Sequence, residues 1–224
     1  MLRTIGGWAL VGVLAGAVAG AVAAAGYRNL VANPGPELDR RYILGVIAED
    51  SPVFFRDGVT RLGVFFEDEH RELVAFDELP PAYVAAIVAA EDQRFWSHPG
   101  VDPLGLARAM LANLAAGRLV AGGSTLSQQT AKNLYYRPDR SIKAKLDELV
   151  RTLQLEHIYP KRDLLMFYAN QFHVASNGRG VGIAARHLFD RPVDQLGVVE
   201  LAMLAGMVKA PAWYDPFTGG EEER

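Results

Sequence analysis

Two carboxylates, Glu91 and Asp92, close an apolar run from Ala82 to Ala90, and Arg94, Phe95, Trp96 and His98 follow at once. Acids at a helix end beside aromatic side chains suit a cleft, where a general base must be held within reach of the proton it takes. A solvated helix end can carry the same residues, so these positions alone leave both readings open. A second stretch opens at Gly122-Gly123-Ser124-Thr125 and runs to Lys132 and Asn133. In a helix, Ser124, Gln128 and Lys132 fall at i, i+4 and i+8 on one face, with Gln129 and Asn133 alongside. A hydroxyl, amides and an ammonium without acids suit sugar hydroxyls and phosphate, and a helix N-terminus behind two glycines adds N–H groups that favour an anion. A third set, Lys143, Lys145 and Glu148, reads as a surface ion pair unless its helix face lines the cleft that holds Glu91.

The elements that must position these groups are mostly helical. Pro81 starts the helix that Glu91 ends. Asp102-Pro103 caps and starts a second, running to Ala116 and closed by Gly117. Its face of Leu104, Leu106, Met110, Leu111 and Leu114 is expected to pack in the core; the alternative is an apolar surface that dips into a membrane. Thr125 and Gln128 make a capping box for a third helix. Ser141 to Tyr159 is amphipathic, with Ile142, Leu146, Leu149, Val150, Leu153 and Ile158 as its expected buried stripe. Further helices are read over Lys161–Phe172, Gly182–Phe189 and Asp194–Val208, with a turn at Asn177-Gly178-Arg179-Gly180. Before Pro80 the segments PVFFR, VTRLGVFF and ELVAF have strand character, with a hairpin turn at Asp57-Gly58.

The chain has 224 residues, a formal charge of −3 and no cysteine. The charge gives no reason to expect nucleic acid, and the lack of cysteine excludes disulfides and zinc–thiolate sites. Ile5 to Gly26 carries no charge and is long enough to span a bilayer core. It exceeds the length of a signal-peptide core, so an uncleaved anchor is expected, with cleavage near Ala21–Ala25 as the alternative. The resulting layout is a tail (residues 1–4), an anchor (5–26), a linker (27–51, broken at Asn33–Pro36), a small β region (52–79) and a helical domain (80–224).

Taken together these stretches resemble the family 51 peptidoglycan glycosyltransferases, found in bifunctional penicillin-binding proteins and monofunctional transglycosylases. Five blocks occur in order: Glu91–Phe95 with His98, Gly100 and Asp102; Gly122–Gln129 with Lys132-Asn133; Lys145 and Glu148 through Glu156 to Asn170; Gly180–Phe189; and Leu201–Pro211. The resemblance implies a mainly α, lysozyme-like domain preceded by a transmembrane helix and a small β appendage. It implies Glu91 as catalytic base and Glu148 as a second catalytic glutamate. Substrate contacts would come from Asp92, Phe95, His98, Ser124, Thr125, Gln128, Gln129, Lys132, Asn133, Lys143 and Lys145. A divalent cation, Mg²⁺ or Mn²⁺, is expected at Glu148. The implied substrates are lipid II and the lipid-linked growing glycan. The implied place is the outer face of a bacterial plasma membrane, with a transpeptidase or other cell-wall synthesis proteins as partners.

The chain departs from the family pattern at Ala144, where Arg is usual, at Phe172–Ala175, and at Asp190. It ends soon after the fifth block, as a short monofunctional member or a fragment of a longer protein would. Two other classes fit the same residues: a lysozyme-like hydrolase, which would have no diphosphate to neutralise with its lysines, and an inactive module that binds glycan or lipid II.

Overall fold

The computed structural model describes residues 20–22, 24–32, 34–47, 51–56, 61–65, 70–135, 141–171, 173–174 and 178–208. Most of Ile5–Gly26 lies outside these residues. Among the described residues no helix is long and apolar enough to cross a membrane.

The core is built on a helix that shows no polar side beyond its charged first turn. From Leu164 to Ala169 every residue of α7 (Lys161–Ala169) is buried. Around it pack α3 (Pro81–Glu91), α5 (Leu126–Leu134), α6 (Ile142–Ile158), α8 (Val181–Phe189) and α9 (Val198–Met207). α3 is apolar on all sides up to Glu91, buries Tyr83, Ile87 and Val88, and lies along α9. α5 rests on both α6 and α7. Glu91 thus stands at the end of a helix anchored in the core by one face.

The stretch read as a linker is helical and docked. Residues 24–32 form α1, and Arg40–Ile47 forms α2, joined by a 3-10 turn at Pro36–Leu38. Gln154 donates to the Leu30 carbonyl at 2.9 Å, and Tyr159 donates its hydroxyl proton to the Leu38 carbonyl at 2.6 Å. Ile43 and Ile47 are wholly buried in the same core as α7. Arg151 pairs with Glu37 and Arg40 with Asp163. The Asn-Pro-Gly-Pro break therefore turns the chain between two docked helices.

The strands are short. β1 (Ser51–Phe54) pairs antiparallel with β2 (Arg61–Phe65), and the Asp57-Gly58 turn lies outside the described residues. β3 (His70–Arg71) does not extend that ribbon. It pairs in parallel with β5 (Gly178–Arg179), which also pairs antiparallel with β4 (His173–Val174). Gly178-Arg179, read as part of a turn, is thus the middle strand of a sheet, because its partner comes from a hundred residues upstream. The ELVAF segment, read as a strand, is unpaired chain leading into a 3-10 turn at Phe76–Glu78. Asn170 stands in for a strand partner: Val74 N–H donates to its Oδ1 and its Nδ2 donates to the Val74 carbonyl, both at 2.8 Å. Gly180, at φ +92°, lies against the Asn170 backbone, where an added Cβ would come within 3.1 Å.

Two expectations about burial are overturned. In α4 (Pro103–Ala116) only Ala109 is buried. Leu111 and Leu114 are 67% and 80% exposed, and Leu104, Leu106 and Met110 are exposed beside them, continued by Leu119 and Val120. The face expected to pack in the core has no element opposite it among the described residues. In α6 the expected stripe is only half buried at Leu149, Val150 and Leu153, while Ile142, Leu146 and Ile158 are exposed. The buried residues are Thr152, Gln154 and Leu155, since α6 turns a mixed polar face to α5 and α1.

If α2 belongs to the folded core, Ile43→Ala lowers stability by about 2–5 kcal/mol. Urea denaturation of the full chain measures it, and a loss below about 0.5 kcal/mol would show α2 to be dispensable.

Candidate active site

The end of α3 faces a cleft of about 350 Å³. Its walls are Ala89–Arg94, the α4 residues Gly105, Arg108, Ala109 and Ala112, and the loop from Ala121 to Thr125. A larger cleft of about 570 Å³ opens at the other end of α3. Two of the acids on its walls, Glu72 and Asp77, are ion-paired with Arg186 and Arg162, and it holds none of the predicted site residues. The smaller cleft is where chemistry-bearing groups converge.

Asp92, the C-cap of α3, is the joint. Its buried carboxylate accepts the Leu126 N–H at 3.0 Å, one of the orphan donors at the start of α5. The same oxygen meets His98 Nε2 at 2.8 Å. The Gly100 N–H donates to His98 Nδ1 at 3.1 Å, so the neutral imidazole carries its proton on Nε2 and donates it to Asp92. Thr125 closes the circuit by donating to the Gly100 carbonyl at 2.6 Å. Its hydroxyl accepts the Gln128 N–H while its own N–H donates to Gln128 Oε1, which is the expected capping box. Gly100, at φ +96°, sits so close to α6 that a Cβ there would come within 2.9 Å of Glu156 Cγ.

Beneath this loop lies a charged layer. Ser127 donates to Glu156, and Lys161 donates to the same Glu156 oxygen at 2.6 Å. Lys161 also stands 4.5 Å over the ring of Phe95, which is wholly buried. Asp102 caps α4 by accepting the Leu104 N–H, and Arg94 and Arg108 approach it at 3.6 and 3.7 Å. The Gly105 N–H, with Arg94 and Leu104 adding to it, holds the Asp102 carboxyl below its usual range.

Glu91 is half buried at the cleft edge, and Gln129 Nε2 donates to its Oε2 at 3.0 Å. The other end of that amide, Oε1, accepts from the Tyr168 hydroxyl at 3.3 Å. Burial above all, with the nearby Glu91 charge second, pushes the Tyr168 phenol far above its usual range, so it remains a donor.

The predicted site residues thus divide. Glu91, Asp92, Ser124 and Thr125 line the cleft, and Gln129 reaches it through Glu91. Phe95 and His98 are buried behind it, and Gln128 is committed to the cap. Lys132 and Asn133 lie further along α5, exposed and half-buried. Lys143, Lys145 and Glu148 sit on the first turns of α6 and do not line this cleft; Lys145 and Glu148 pair at 2.5 Å. Glu148 shares a helix face with Thr152 and Glu156, the two residues closest to Gly100. Sequence reasoning missed Arg108 and Tyr168. Arg108 stands in the apolar sequence of α4, and its placement two turns after the Asp102 cap was the available signal. Tyr168 was hidden in what reads as pure core.

Among the described residues no group of three His, Asp or Glu could hold a metal ion by itself. Glu148 offers one carboxylate, with Lys145 on one oxygen. That suits an ion held jointly by one carboxylate and substrate phosphates, the usual mode for Mg²⁺.

The chain is similar in sequence to known proteins. Residues 58–224 match the family described as Transglycosylase. The chain is 38% identical over 207 residues to penicillin-binding protein 1B of Vibrio cholerae, covering 85% of this chain and 27% of that protein. It is 40% identical over 149 residues to penicillin-binding protein 1A of Aquifex aeolicus, covering 66% of this chain and 20% of that one. Against penicillin-binding protein 1A of Escherichia coli it is 37% identical over 151 residues, covering 67% and 18%. The chain belongs to the transglycosylase family, and it spans about a quarter or less of the length of these relatives.

Asp92→Asn places an amide N–H₂ or a weaker carbonyl acceptor between two donors. It is expected to lower stability by about 1–3 kcal/mol, by leaving buried donors poorly matched. Thermal or urea unfolding checks this, and an unchanged midpoint would remove Asp92 from its role as joint.

Proposed function

We propose that the chain is a peptidoglycan glycosyltransferase that polymerises lipid II into β-1,4-linked glycan, with Glu91 as general base. The observation that carries this reading is a half-buried carboxylate, held by an amide at the edge of a cleft that is also walled by α4, the helix that bears an exposed apolar face.

In the proposed reaction the acceptor sugar hydroxyl gives its proton to Glu91 as its oxygen bonds to the anomeric carbon of the donor. The bond from that carbon to the diphosphate oxygen breaks, and undecaprenyl diphosphate leaves with the bonding electrons. Attack from the face opposite an α-linked leaving group makes a β linkage. A diphosphate is already a weak base, so it needs neutralising charge rather than a proton. Lys132, Lys143 and Lys145 would supply that charge, with Arg108 on the cleft wall. Glu148 would hold a divalent cation, Mg²⁺ or Mn²⁺, which adds positive charge at the diphosphate when bound. Asp92, Phe95 and His98 serve the base by fixing the loop around it, while Ser124, Thr125, Gln128, Gln129 and Asn133 lie on or beside the sugar path.

The exposed row of Leu104, Met110, Leu111 and Leu114 fits the lipid tails of such substrates. A contiguous apolar face of this kind marks a membrane or partner surface, and a helix presenting it can lie in the headgroup boundary. With Ile5–Gly26 as anchor, the domain would work on the outer face of a bacterial plasma membrane, beside a transpeptidase or other cell-wall synthesis proteins.

Incubating the detergent-solubilised chain with labelled lipid II and Mg²⁺ is expected to give a ladder of lengthening glycan. Glu91→Gln removes the base at constant volume and is expected to abolish the ladder, a loss of at least about 100-fold, with unchanged far-UV circular dichroism. Near-parental polymerisation by that variant would overturn the assignment. Lys132→Ala is expected to lower kcat/KM for lipid II by roughly 10-fold or more, the effect of a lost charge-assisted contact; unchanged kinetics would exclude its phosphate role.

A further inference from the structure

We propose that Tyr168 is a positioning residue for the base: its hydroxyl fixes the amide of Gln129 in the one orientation that aims Nε2 at Glu91. The inference rests on Glu91 acting as base and adds what holds its carboxylate in place.

Donors and acceptors decide the orientation of the Gln129 amide. An ionised carboxylate only accepts, and an amide nitrogen only donates. With Gln129 Nε2 at 3.0 Å from Glu91 Oε2, the amide oxygen must point the other way, and there it accepts from Tyr168 at 3.3 Å. Turning the amide over would face its oxygen toward the carboxylate and take from the Tyr168 proton the one acceptor it has among the described hydrogen bonds. Tyr168 is buried on α7 and Gln129 is half-buried on α5, so the phenol has little access to solvent. A second buried phenol, Tyr83 on α3, lies near Tyr168, and its hydroxyl has no hydrogen-bond partner among the described residues. Tyr168 is the donor that the described hydrogen bonds give the Gln129 oxygen. The titratable groups facing this chain are Glu91 and Tyr83 from α3 and Tyr168 from α7. Asp92, Arg94, Asp102 and Arg108 stand on the cleft side.

Without the hydroxyl, the amide oxygen is left against an apolar wall and the donor to Glu91 is no longer held. The carboxylate loses a hydrogen bond made to its charged form, and its protonation becomes easier. Tyr168→Phe is therefore expected to lower kcat roughly 5- to 10-fold, the scale of one hydrogen bond, with KM within about two-fold. The acidic limb of kcat/KM should move up in pH, the direction that loss of a hydrogen bond to the charged base gives. Gln129→Met should move the same limb, and the double variant should move it no further than Gln129→Met alone, because the two act through one link.

The closing experiment measures pH profiles of lipid II polymerisation for the parent, Tyr168→Phe, Gln129→Met and the double variant, with Glu91→Gln alongside and thermal melts to establish folding. Activity in Glu91→Gln would remove the base reading and this inference with it. An inactive Glu91→Gln with a parental pH profile in Tyr168→Phe would overturn the positioning role alone, as would additive effects in the double variant. A shifted limb with melting unchanged supports it, and Gln129→Met reports the same link from the other end if Tyr168→Phe folds poorly.

Discussion

One carboxylate oxygen holds the site together. Asp92 Oδ2 takes the Leu126 N–H and the His98 Nε2–H, and so joins the end of α3, the start of α5 and the loop between α3 and α4. The geometry of Glu91 follows, because Glu91 precedes Asp92 in the last turn of α3 and meets Gln129 one turn into α5. A carboxylate at a helix N-terminus is favoured by the helix dipole as well as by the hydrogen bond. Here that interaction works across the chain, between two helices brought end to end.

The surroundings make this joint stiff. Phe95 fills the space below the loop, Lys161 stands on its ring, and Glu156 links that cation to Ser127. Gly100 allows the loop to lie directly on α6, where any side chain would collide with Glu156 or Thr152. The buried polar groups here form a closed set of partners rather than a row of surface ion pairs, so removal of one member leaves others unmatched. A general base gains from such a frame, since its reach must hold to fractions of an ångström.

Local chemistry was legible in the sequence, and burial was not. The Asp102 cap, the Gly117 stop and the Thr125–Gln128 box each depend on a few adjacent residues, and each forms where those residues predict it. The end of α3 at Glu91 was equally plain from Pro81 and the apolar run. What a helix face meets depends on residues far away. Leu111 and Leu114 have the spacing of a core stripe and yet stand exposed, while Thr152 and Gln154 are buried. Residues 27–51 read as a linker because of Asn33–Pro36, although Ile43 and Ile47 meet the core. Gly178-Arg179 becomes a strand only because His70-Arg71 lies beside it. In the site, Glu91 and Gln129 were visible as residue types; their direct bond, and Tyr168 behind it, needed three helices to be placed.

α4 has two environments on one cylinder. Gly105, Arg108, Ala109 and Ala112 turn to the cleft, and Leu104, Met110, Leu111 and Leu114 turn away from the protein. A helix with its side chains is only about 10–12 Å across. Whatever apolar layer receives the leucines therefore lies within about that distance of the cleft wall. A molecule with a polar head and a long apolar tail can place the head in the cleft without withdrawing the tail from that layer. For the proposed substrates, the thickness of one helix would set the length needed between head and tail.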